Sequence, residues 1–352
     1  MRLVVYEWCC SGGLAGDDAS AVVPSGHDVE SIVPEGRAML RALVADALRD
    51  GGFEVTVLVD AARGCGLPSG AAIVPVASGA EIHALVREAR SADAVVIVAP
   101  ETAGVLAARV AMVRAAGGLV LAPSDAITAL AADKQATIDV LAAAGVAVPA
   151  GRSLAAGAAW PQGFRLPAVR KARTSTACDG LVVVQRDGPL PPPADQATRL
   201  EAWCAGESVG VACVIGPMGA VPLPAMTHRF AAGPGGARSY IGGELLADPA
   251  AAARAEALAV RAVRSILRRD RDAPAAGWMG VDMILGSRTD GLDDRVLEVN
   301  PRLTTSFVGL AAASSRSLVR LMVDAAAGAP VARPTFSRSP SFSLADDPSA
   351  HR

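Results

Sequence analysis

The segment Val296-Leu-Glu-Val-Asn-Pro-Arg302 carries Glu298 and Asn300 inside an otherwise apolar run, and Gly280-Val-Asp-Met-Ile-Leu285 precedes it with Asp282 in a similar setting. Both segments are predicted to be strands of one antiparallel hairpin. Because side chains alternate along a strand, Glu298 and Asn300 share one face, and Asp282 on the neighbouring strand can join them. Hard oxygen ligands of this kind suit Mg²⁺. A solvated charge beside a turn is the alternative, but an uncompensated charge between apolar neighbours would be costly.

The chain has only two lysines, Lys134 and Lys171, while arginine supplies the other 31 of its 33 basic residues. In a sequence that otherwise uses arginine, these positions favour compact ammonium charges of the kind that contact phosphate. Lys171 ends a predicted strand and precedes the small-residue loop 174–180, which can lay backbone N–H groups over phosphates. Surface solubility is the alternative for either lysine alone.

The first third of the chain alternates β-rich and helical runs, which predicts a parallel sheet with helices on both faces. Gly12, Gly13 and Gly16 follow the first strand, where such folds place a ligand loop, but they do not form G-x-G-x-x-G. A tight turn is therefore the alternative to a dinucleotide site. The predicted strands are residues 3–6, 53–59, 72–76, 94–98 and 118–121, and the predicted helices are 34–50, 81–90 and 102–116.

The remainder is predicted to mix strands with three helical stretches, at 124–145, 249–269 and 314–326. The predicted strands are residues 168–171, 181–185, 199–204, 209–215, 278–285 and 295–299. Arginines at helical spacing within 249–269 indicate a solvated face, with an anion or partner surface as the alternative. From about residue 330 the composition turns to Pro, Ser and Arg, which predicts a loose tail.

The composition argues against several classes of protein. Hydrophobic residues make up 51% of the 352 residues, with a mean hydropathy of +0.36, but the longest charge-free run (208–228) is broken by glycines and prolines, so no membrane span is expected. A net charge of −2 without a basic block predicts no nucleic-acid partner. The six cysteines lack C-x-x-C spacing, and the N-terminus does not resemble a signal peptide. We therefore expect a reduced, cytoplasmic protein without a zinc site.

The order of Asp133-Lys134, Lys171, Glu201-Ala-Trp-Cys-Ala-Gly-Glu207, Asp282 and Glu298-Val-Asn300 resembles that of the ATP-grasp superfamily. The resemblance covers about residues 124–330 and implies an α/β protein, with α+β character in its nucleotide-binding part. An N-terminal parallel-sheet domain would be followed by an ATP-grasp fold. The implied domains are a Rossmann-like pre-ATP-grasp domain (1–123), an ATP-grasp region (124–330) with a lid (about 150–206) and a metal-binding subdomain (about 207–330), and a flexible tail (331–352).

This resemblance also implies how ATP is held. Lys134 and Lys171 would contact the α- and β-phosphates, under a loop that includes Ser175, Asp179 and Gly180. The adenine and ribose would be bound by a hinge between the subdomains. Glu201 and the backbone of Trp203 and Cys204 would read adenine in that hinge, and Glu207 would bind the ribose hydroxyls.

For the chemistry, the resemblance implies that Asp282, Glu298 and Asn300 hold two Mg²⁺ ions, with Mn²⁺ as the alternative metal and Glu298 bridging. Arg302 would lie at the oxyanion of the transferred or acyl phosphate, with Lys171 also catalytic. Gly280 stands where some amino-acid ligases of the superfamily have an arginine. This departure leaves Arg302 or Arg229 for the oxyanion role.

Three segments, Tyr6-Glu-Trp-Cys-Cys-Ser-Gly-Gly13, Cys178-Asp-Gly180 and Glu298-Val-Asn-Pro-Arg-Leu-Thr-Thr-Ser306, resemble the subgroup that contains tyramine–L-glutamate ligase of methanofuran and methylofuran biosynthesis. This implies that the γ-carboxylate of glutamate becomes an acyl phosphate and is attacked by tyramine, giving γ-glutamyltyramine in one-carbon metabolism. The implied substrate contacts are Ser11, Gly12, Gly13, Arg229 and Arg302 for the amino acid, and Glu7 and Ser306 for the amine. His228, in a predicted loop, is a further candidate, with an ordinary loop residue as the alternative.

Other functions stay open at this level. A different carboxylate–amine ligase or a carboxylase could use the same fold, and a non-catalytic ATP-binding regulatory protein is an alternative from another class. An oxidoreductase built on the first domain lacks the glycine fingerprint that it would need. The expected partners are small molecules, and the sequence leaves the acid, the amine and a homo-oligomeric state undetermined.

Overall fold

The computed structural model describes residues 1–344 except 24–31, 175–180, 233–237, 272, 274 and 338. Three sheets organise this part of the chain. Hydrophobic and polar contacts connect the three sheets. The candidate loop residues Ser175, Asp179 and Gly180 lie outside the described residues.

The first sheet has four parallel strands in the order β3-β2-β1-β4. Its strands are β1 (Arg2–Glu7), β2 (Glu54–Asp60), β3 (Ala72–Val76) and β4 (Ala94–Val98). The central strand β1 and its neighbour β4 are almost wholly buried, as expected for a parallel sheet covered on both faces. The strand predicted at 118–121 is reduced to a single bridge between Val120 and Val95.

Helices cover this sheet as the alternation predicts. They are α1 (Ala19–Val22), α2 (Val33–Asp50), α3 (Glu81–Ala89) and α4 (Val105–Ala115). Helix α2 has Pro34 in its first turn and ends at Gly51, whose φ of 74° is the left-handed conformation that ends many helices. The parallel-sheet N-terminal domain is confirmed.

The helical stretch predicted at 124–145 is divided into α5 (Asp125–Ala132) and α6 (Lys134–Ala143). Asp133 is extended and its carboxylate accepts hydrogen bonds from the backbone N–H groups of Gln135 and Ala136. Such a side chain satisfies N–H groups that a new helix leaves unpaired at its start. The break therefore places Lys134 in the first turn of α6 instead of mid-helix.

A small antiparallel sheet of four strands follows, in the order β5-β8-β6-β7. Its strands are β5 (Gly151–Leu154), β6 (Ala168–Ala172), β7 (Val182–Val184) and β8 (Thr198–Ala202). Lys171 lies near the end of β6, opposite Arg199 of β8. The lysine thus projects from a hydrogen-bonded strand, as the sequence predicts.

The third sheet has seven strands, in the order β14-β13-β9-β11-β12-β15, with β10 paired to β9. Its strands are β9 (Glu207–Gly216), β10 (Gly219–Pro222), β11 (Met226–Ala232), β12 (Arg238–Leu245), β13 (Gly277–Leu285), β14 (Arg295–Asn300) and β15 (Ser341–Ser343). The predicted hairpin of β13 and β14 is present. Strand β15 lies within the expected loose tail, and its pairing with β12 shows that this part of the tail is ordered.

Three helices pack around this large sheet: α7 (Pro249–Leu267), α8 (Phe307–Ala313) and α9 (Leu318–Ala326). Arg254, expected on a solvated face of α7, instead pairs with buried Asp294, with 2.8 Å between Nε and Oδ2. Among the described residues, none of the helices combines the length and apolar composition that a membrane crossing needs.

A continuous hydrophobic core joins the N-terminal domain to the large sheet. Leu40 and Leu43 of α2 belong to the same buried cluster as Trp278, Phe307 and Leu321. Burial of apolar surface is the main stabilising contribution to such a contact. The start of α2 is consequently held beside the end of β14, where the predicted metal ligands lie.

Candidate active site

A cavity of about 210 Å³ lies where β13, β14, β9, β11 and the start of α2 meet. It gathers residues that are far apart in the sequence. The predicted site residues that line it are Lys134, Lys171, His228, Asp282, Glu298, Asn300, Arg302 and Ser306. The predicted residues outside this lining, within the described part of the chain, are Glu7, Ser11, Gly12, Gly13, Glu201, Trp203, Cys204, Glu207 and Arg229.

The predicted metal ligands form a compact group. Asp282 on β13 lies opposite Glu298 on β14, and Asn300 lies opposite Gly280. The Asn300 Nδ2 donates a hydrogen bond of 2.9 Å to Asp282 Oδ2. A β-bulge lies between the pairs Asp282–Glu298 and Met283–Val296, where Leu297 of β14 has no opposite residue on β13. Bulges are common next to functional sites because they redirect side chains.

The charges of this group suit a divalent cation. Burial, and then repulsion from Glu298, raise the pKa of Asp282 to about 7. Burial also acts to raise the pKa of Glu298, but the charges of Lys134 and Lys171 outweigh it and leave that pKa lowered. The negative charge of Glu298 is thus compensated by the two lysines, while that of Asp282 is not.

Among the residues that the structure describes, no three His, Cys, Asp or Glu side chains are placed to hold a metal ion by themselves. The available donors are two carboxylates and the carboxamide oxygen of Asn300. A Mg²⁺ ion needs six oxygen ligands and commonly takes several from water and substrate phosphates. The donor set therefore fits an ion shared with a nucleotide better than a closed protein cage.

Both lysines converge on β14 and are nearly buried, with 6% of Lys134 and 7% of Lys171 exposed. The Lys134 Nζ is 3.3 Å from Glu298 Oε2. The Lys171 Nζ donates to the carbonyl oxygen of Leu297 at 3.0 Å. Their burial excludes the surface-solubility alternative, and their positions place two ammonium groups beside the carboxylates.

Glu201 binds side chains of its own sheet instead of lining the cavity. Its Oε2 is 3.1 Å from Lys171 Nζ, and its Oε1 accepts a hydrogen bond of 2.6 Å from Arg199 Nε. The backbone N–H of Trp203 donates a hydrogen bond to the carbonyl oxygen of Pro167, and Trp203 is 43% exposed. Cys204 follows on the same loop. Contacts of these residues with adenine stay predictions.

Glu207, at the start of β9, is exposed and lies opposite Leu285. It stays a predicted ribose contact. His228 and Arg229 lie on β11 and not in a loop. Arg229 is exposed and donates to the carbonyl oxygen of Phe342 at 3.3 Å, so it is not beside the carboxylates.

His228 also lies close to Asp282, with 3.7 Å between Nε2 and Oδ1. The Ser208 hydroxyl lies 3.0 Å from Nδ1. Burial lowers the pKa of His228 to about 4 despite the opposing charge of Glu298, so the ring is neutral at pH 7. Gly210 makes this arrangement possible, because a Cβ there would lie 2.5 Å from His228 Nε2.

Arg302 reaches the cavity from the segment after β14. Its Nε is 2.9 Å from Oε1 of Glu101, a residue of the N-terminal domain. Burial acts to lower the pKa of Arg302, but Glu101 and then Glu35 outweigh it and keep the guanidinium charged. The arginine is thus positioned by a contact that joins two domains.

The N-terminal loop predicted to bind substrate packs within its own domain. Ser11 is fully buried and donates to Leu58 O at 2.7 Å. Glu7 is buried and accepts hydrogen bonds from the N–H groups of Cys9 and Cys10. Gly13 lies so close to Trp8 that a Cβ would be 2.2 Å from its indole nitrogen.

Gly12 also belongs to this N-terminal loop, and its φ of 97° marks a tight turn after the first strand. The alternative of a strand-to-loop turn therefore describes this segment better than a substrate loop.

Sequence reasoning missed the cavity residues Glu35, Gly210, Phe230, Tyr240, Thr304 and Thr305. Only Tyr240 carried a composition signal, since the chain has just two tyrosines.

Gly280 has a packing reason to lack a side chain. A Cβ at this position would lie 2.3 Å from Cγ2 of Thr304. The Thr304 hydroxyl accepts a hydrogen bond of 3.1 Å from Trp278 Nε1 and lies 2.9 Å from the hydroxyl of Ser306. The space beside Gly280 is therefore filled by the Thr304 side chain.

Comparisons with known proteins agree with this architecture. A family profile described as a pre ATP-grasp 3 domain matches residues 53–127, and one described as an ATP-grasp domain matches residues 131–306. None of the curated proteins matches this chain by sequence.

Several solved structures are similar in fold. An ATP-grasp superfamily protein from Archaeoglobus fulgidus has a TM-score of 0.65 at 19% identity, covering 95% of this chain and 90% of that one. The L-amino acid ligase from Bacillus licheniformis has a TM-score of 0.62 at 15% identity, covering 96% and 75%. Biotin carboxylase from Campylobacter jejuni, in an ATP complex, has a TM-score of 0.68 at 15% identity, covering 95% and 73%. Identities this low establish the shared fold alone.

Proposed function

Because this chain belongs to the ATP-grasp family, we propose that it is a Mg²⁺- and ATP-dependent carboxylate–amine ligase that joins the γ-carboxylate of L-glutamate to tyramine. The observation that carries the ligase proposal is the single cavity in which Lys134, Lys171, Asp282, Glu298 and Arg302 meet. Two oxygen-donor acids beside two ammonium groups and a guanidinium can hold a triphosphate and a carboxylate close together.

In the proposed reaction, a carboxylate oxygen of the acid attacks the γ-phosphorus of ATP. The bond from that phosphorus to the β–γ bridging oxygen breaks, giving ADP and an acyl phosphate. The amine nitrogen then attacks the acyl carbon, the carbon–oxygen bond to phosphate breaks, and an amide and inorganic phosphate result. The proton lost by the amine passes to phosphate or solvent.

The residues of the chain have distinct tasks in this scheme. Asp282, Glu298 and Asn300 would hold Mg²⁺, which when bound neutralises phosphate charge. Lys134 and Lys171 add positive charge where negative charge develops on the transferred phosphoryl group. No nucleophilic side chain is required in this scheme.

Arg302 is the proposed partner of the acyl phosphate oxygens. It is charged and nearly buried, and Glu101 fixes its orientation. A fixed guanidinium in a partly dry cavity binds an oxyanion more strongly than one in water. Closing the cavity also protects the acyl phosphate from hydrolysis.

The choice of glutamate and tyramine rests on the resemblance of the segments around Ser306 and Gly13, and it is tested by product formation. Purified protein is incubated with Mg²⁺-ATP and a matrix of amino acids and amines, and ADP release is measured. Glutamate with tyramine is expected to score highest, with γ-glutamyltyramine identified by mass spectrometry. Activity with other pairs but not with this one would remove the substrate assignment and leave the ligase.

Two alternatives have their own signatures in the same assay. Biotin carboxylase and N5-carboxyaminoimidazole ribonucleotide synthetase are among the proteins similar in fold, and a carboxylase would need bicarbonate in place of the organic acid. A regulatory ATP-binding protein would bind ATP but release no ADP with any pair. The retained acids and lysines favour turnover.

A further inference from the structure

Glu35 brings a third carboxylate to the cavity, and the N-terminal domain supplies it. It lies in the first turn of α2, and it is the one residue of the described part of 1–123 that lines the cavity. Its Oε1 accepts a hydrogen bond from the hydroxyl of buried Thr305. The carboxylate is therefore anchored on one side and faces the end of the cavity near Arg302.

This carboxylate is not one of the predicted metal ligands, although its charge, after that of Glu101, helps to keep Arg302 charged. Asp282 and Glu298 form the metal group on the β13–β14 hairpin, whereas Glu35 belongs to another domain. ATP is an anion, and the proposed acid, L-glutamate, carries one ammonium group but two carboxylates, whereas tyramine carries an ammonium group and no carboxylate. A carboxylate at this place therefore stabilises the bound amine more than it stabilises ATP or the acid.

An aromatic wall lies in the same cavity. Phe230 and Tyr240 face each other across β11 and β12, with ring centroids 5.8 Å apart, and the His228 ring is 5.5 Å from that of Tyr240. The register of the two strands shifts beside Phe230, which brings these rings together. Aromatic residues make up only 3% of the chain, so their concentration here is unusual.

The wall and the carboxylate line the same cavity. After burial, the charges of Asp282 and then Glu35 raise the pKa of the Tyr240 hydroxyl. Flat rings favour contact with another ring, edge-to-face or offset, and a ring face also attracts a cation. The two features together define a subsite for a molecule with a ring at one end and a positive charge at the other.

We propose that Glu35 binds the ammonium group of the amine substrate while Phe230 and Tyr240 pack against its ring, so that the site selects an arylalkyl amine without a carboxylate beside its nitrogen. The proposal rests on the ligase function above and adds the residues that choose its amine. An amino acid of the same shape would bring its carboxylate close to Glu35, and this like-charge contact disfavours it. The bound ammonium loses one proton to solvent before its nitrogen attacks the acyl carbon, and the second proton passes to phosphate or solvent. Glu35 takes part in binding and in no covalent step.

The test compares tyramine with L-tyrosine, which differ by that carboxylate, in wild type and Glu35→Gln. Loss of a charge-assisted hydrogen bond is expected to raise KM for tyramine by roughly 10- to 100-fold, with KM for ATP changed less than about twofold. The preference for tyramine over tyrosine in kcat/KM is expected to fall at least about tenfold. A merely structural role of Glu35 would leave this preference unchanged.

Matched variants separate charge from shape. Glu54→Gln removes an exposed carboxylate of β2 and is expected to match wild type in every constant. Tyr240→Leu and Phe230→Leu are expected to raise KM for tyramine but to leave KM for n-butylamine, which has no ring, unchanged. An unaltered tyramine-to-tyrosine preference in Glu35→Gln, or a change confined to KM for ATP or acid, would overturn the proposal.

A failure of the proposed ligase function can be distinguished from a failure of the proposed amine subsite. If wild type forms no ADP with any pair, tyramine binding is measured by calorimetry with a non-hydrolysable ATP analogue present. Tyramine binding that tyrosine does not share, and that Glu35→Gln weakens at least about tenfold, supports the subsite even then. Equal or absent binding of both compounds to wild type would contradict it.

Discussion

Arg302 and Glu101 form a buried ion pair between two domains, with 2.9 Å between Arg302 Nε and Glu101 Oε1 and with 10% and 5% of their side chains exposed. Glu101 follows the last strand of the parallel sheet, whereas Arg302 follows β14 of the large sheet. The proposed oxyanion-binding group is thus oriented by a carboxylate from the other domain. Docking of the N-terminal domain and assembly of the site are consequently one event.

Glu101→Gln should therefore impair both stability and turnover. Removing one member of a buried pair typically costs about 3–5 kcal/mol, because the remaining charge stays buried. We expect lower unfolding free energy in urea and a decrease in kcat larger than any change in KM for ATP. Glu256→Gln is the matched control, since its pair with Arg333 is more exposed, and it should cost less than about 1 kcal/mol. Equal effects of both substitutions would refute a special role for Glu101.

Glu298→Gln should reduce turnover by about 1,000-fold while the fold persists. The change removes the negative charge that faces Lys134 and that the Mg²⁺ ion would need. Turnover is measured by ADP release over a range of Mg²⁺ concentrations, and folding by circular dichroism. Glu54→Gln serves as the control on the first sheet, and wild-type activity of Glu298→Gln would rule out the metal role.

Glu201 offers a choice between two roles. Its carboxylate contacts both Lys171 and Arg199, so we expect Glu201→Gln to lower kcat by positioning Lys171 poorly. A lysine-positioning role predicts equal fold-changes with ATP and GTP, because the triphosphates are the same. A contact with adenine instead predicts that kcat falls with ATP alone, which reduces the preference for ATP over GTP.

The same substitution leaves two buried cations with less compensation, so its folding must be checked by urea denaturation. Glu201→Asp keeps the charge and provides a second variant if the glutamine form is unstable. If either variant loses its preference for ATP over GTP, that result would support the adenine contact and count against the positioning role.

Gly280→Ala and Thr304→Ser should show strong coupling. The new Cβ would meet Thr304 Cγ2 at 2.3 Å, which displaces the threonine and its contacts with Trp278 and Ser306. Overpacking of this kind typically costs about 1–3 kcal/mol. Serine lacks that methyl group but keeps the hydroxyl, so the double variant should recover at least half of the lost stability and activity. Additive effects in the double-mutant cycle would show that the clash is not the cause.

Asp50→Asn tests a pH-dependent contact between α2 and α9. Hydrogen bonding to Arg320 lowers the pKa of Asp50 in the folded protein, and Nη2 is 2.8 Å from Oδ1. The stabilisation is therefore present above the unfolded pKa of about 3.9 and is lost as the pH falls through the lower folded pKa. We expect Asp50→Asn to cost about 1 kcal/mol at pH 7, and this cost should disappear below the folded pKa of Asp50, measured by denaturant unfolding.

The control is Asp290→Asn, which removes a partner of Arg288 on the exposed turn between β13 and β14. It should change stability little at pH 7, because solvent screens exposed charges. A pH-independent cost of Asp50→Asn would mean that packing, and not the charge, links the two helices there.

Much of the site could be predicted because it lies on two strands joined in sequence. Alternation along β14 places Glu298 and Asn300 on one face, and the hairpin brings Asp282 opposite them. The rarity of lysine marked Lys134 and Lys171. The break of the 124–145 helix was missed, although Asp133 is a good helix-capping residue, because the apolar pattern continues through it.

The local pattern of polar and apolar residues was thus enough to predict the parallel sheet, the β13–β14 hairpin and the acid and lysine groups, since hydrogen bonding and side-chain alternation act between near neighbours. Tertiary packing decided the rest. It packed Gly13 against Trp8 and buried Ser11 beside Leu58, it brought Glu35 and Tyr240 to the cavity, and it paired Glu101 with Arg302. Those contacts join segments far apart in the chain, and no short-range pattern encodes which distant surfaces bury one another.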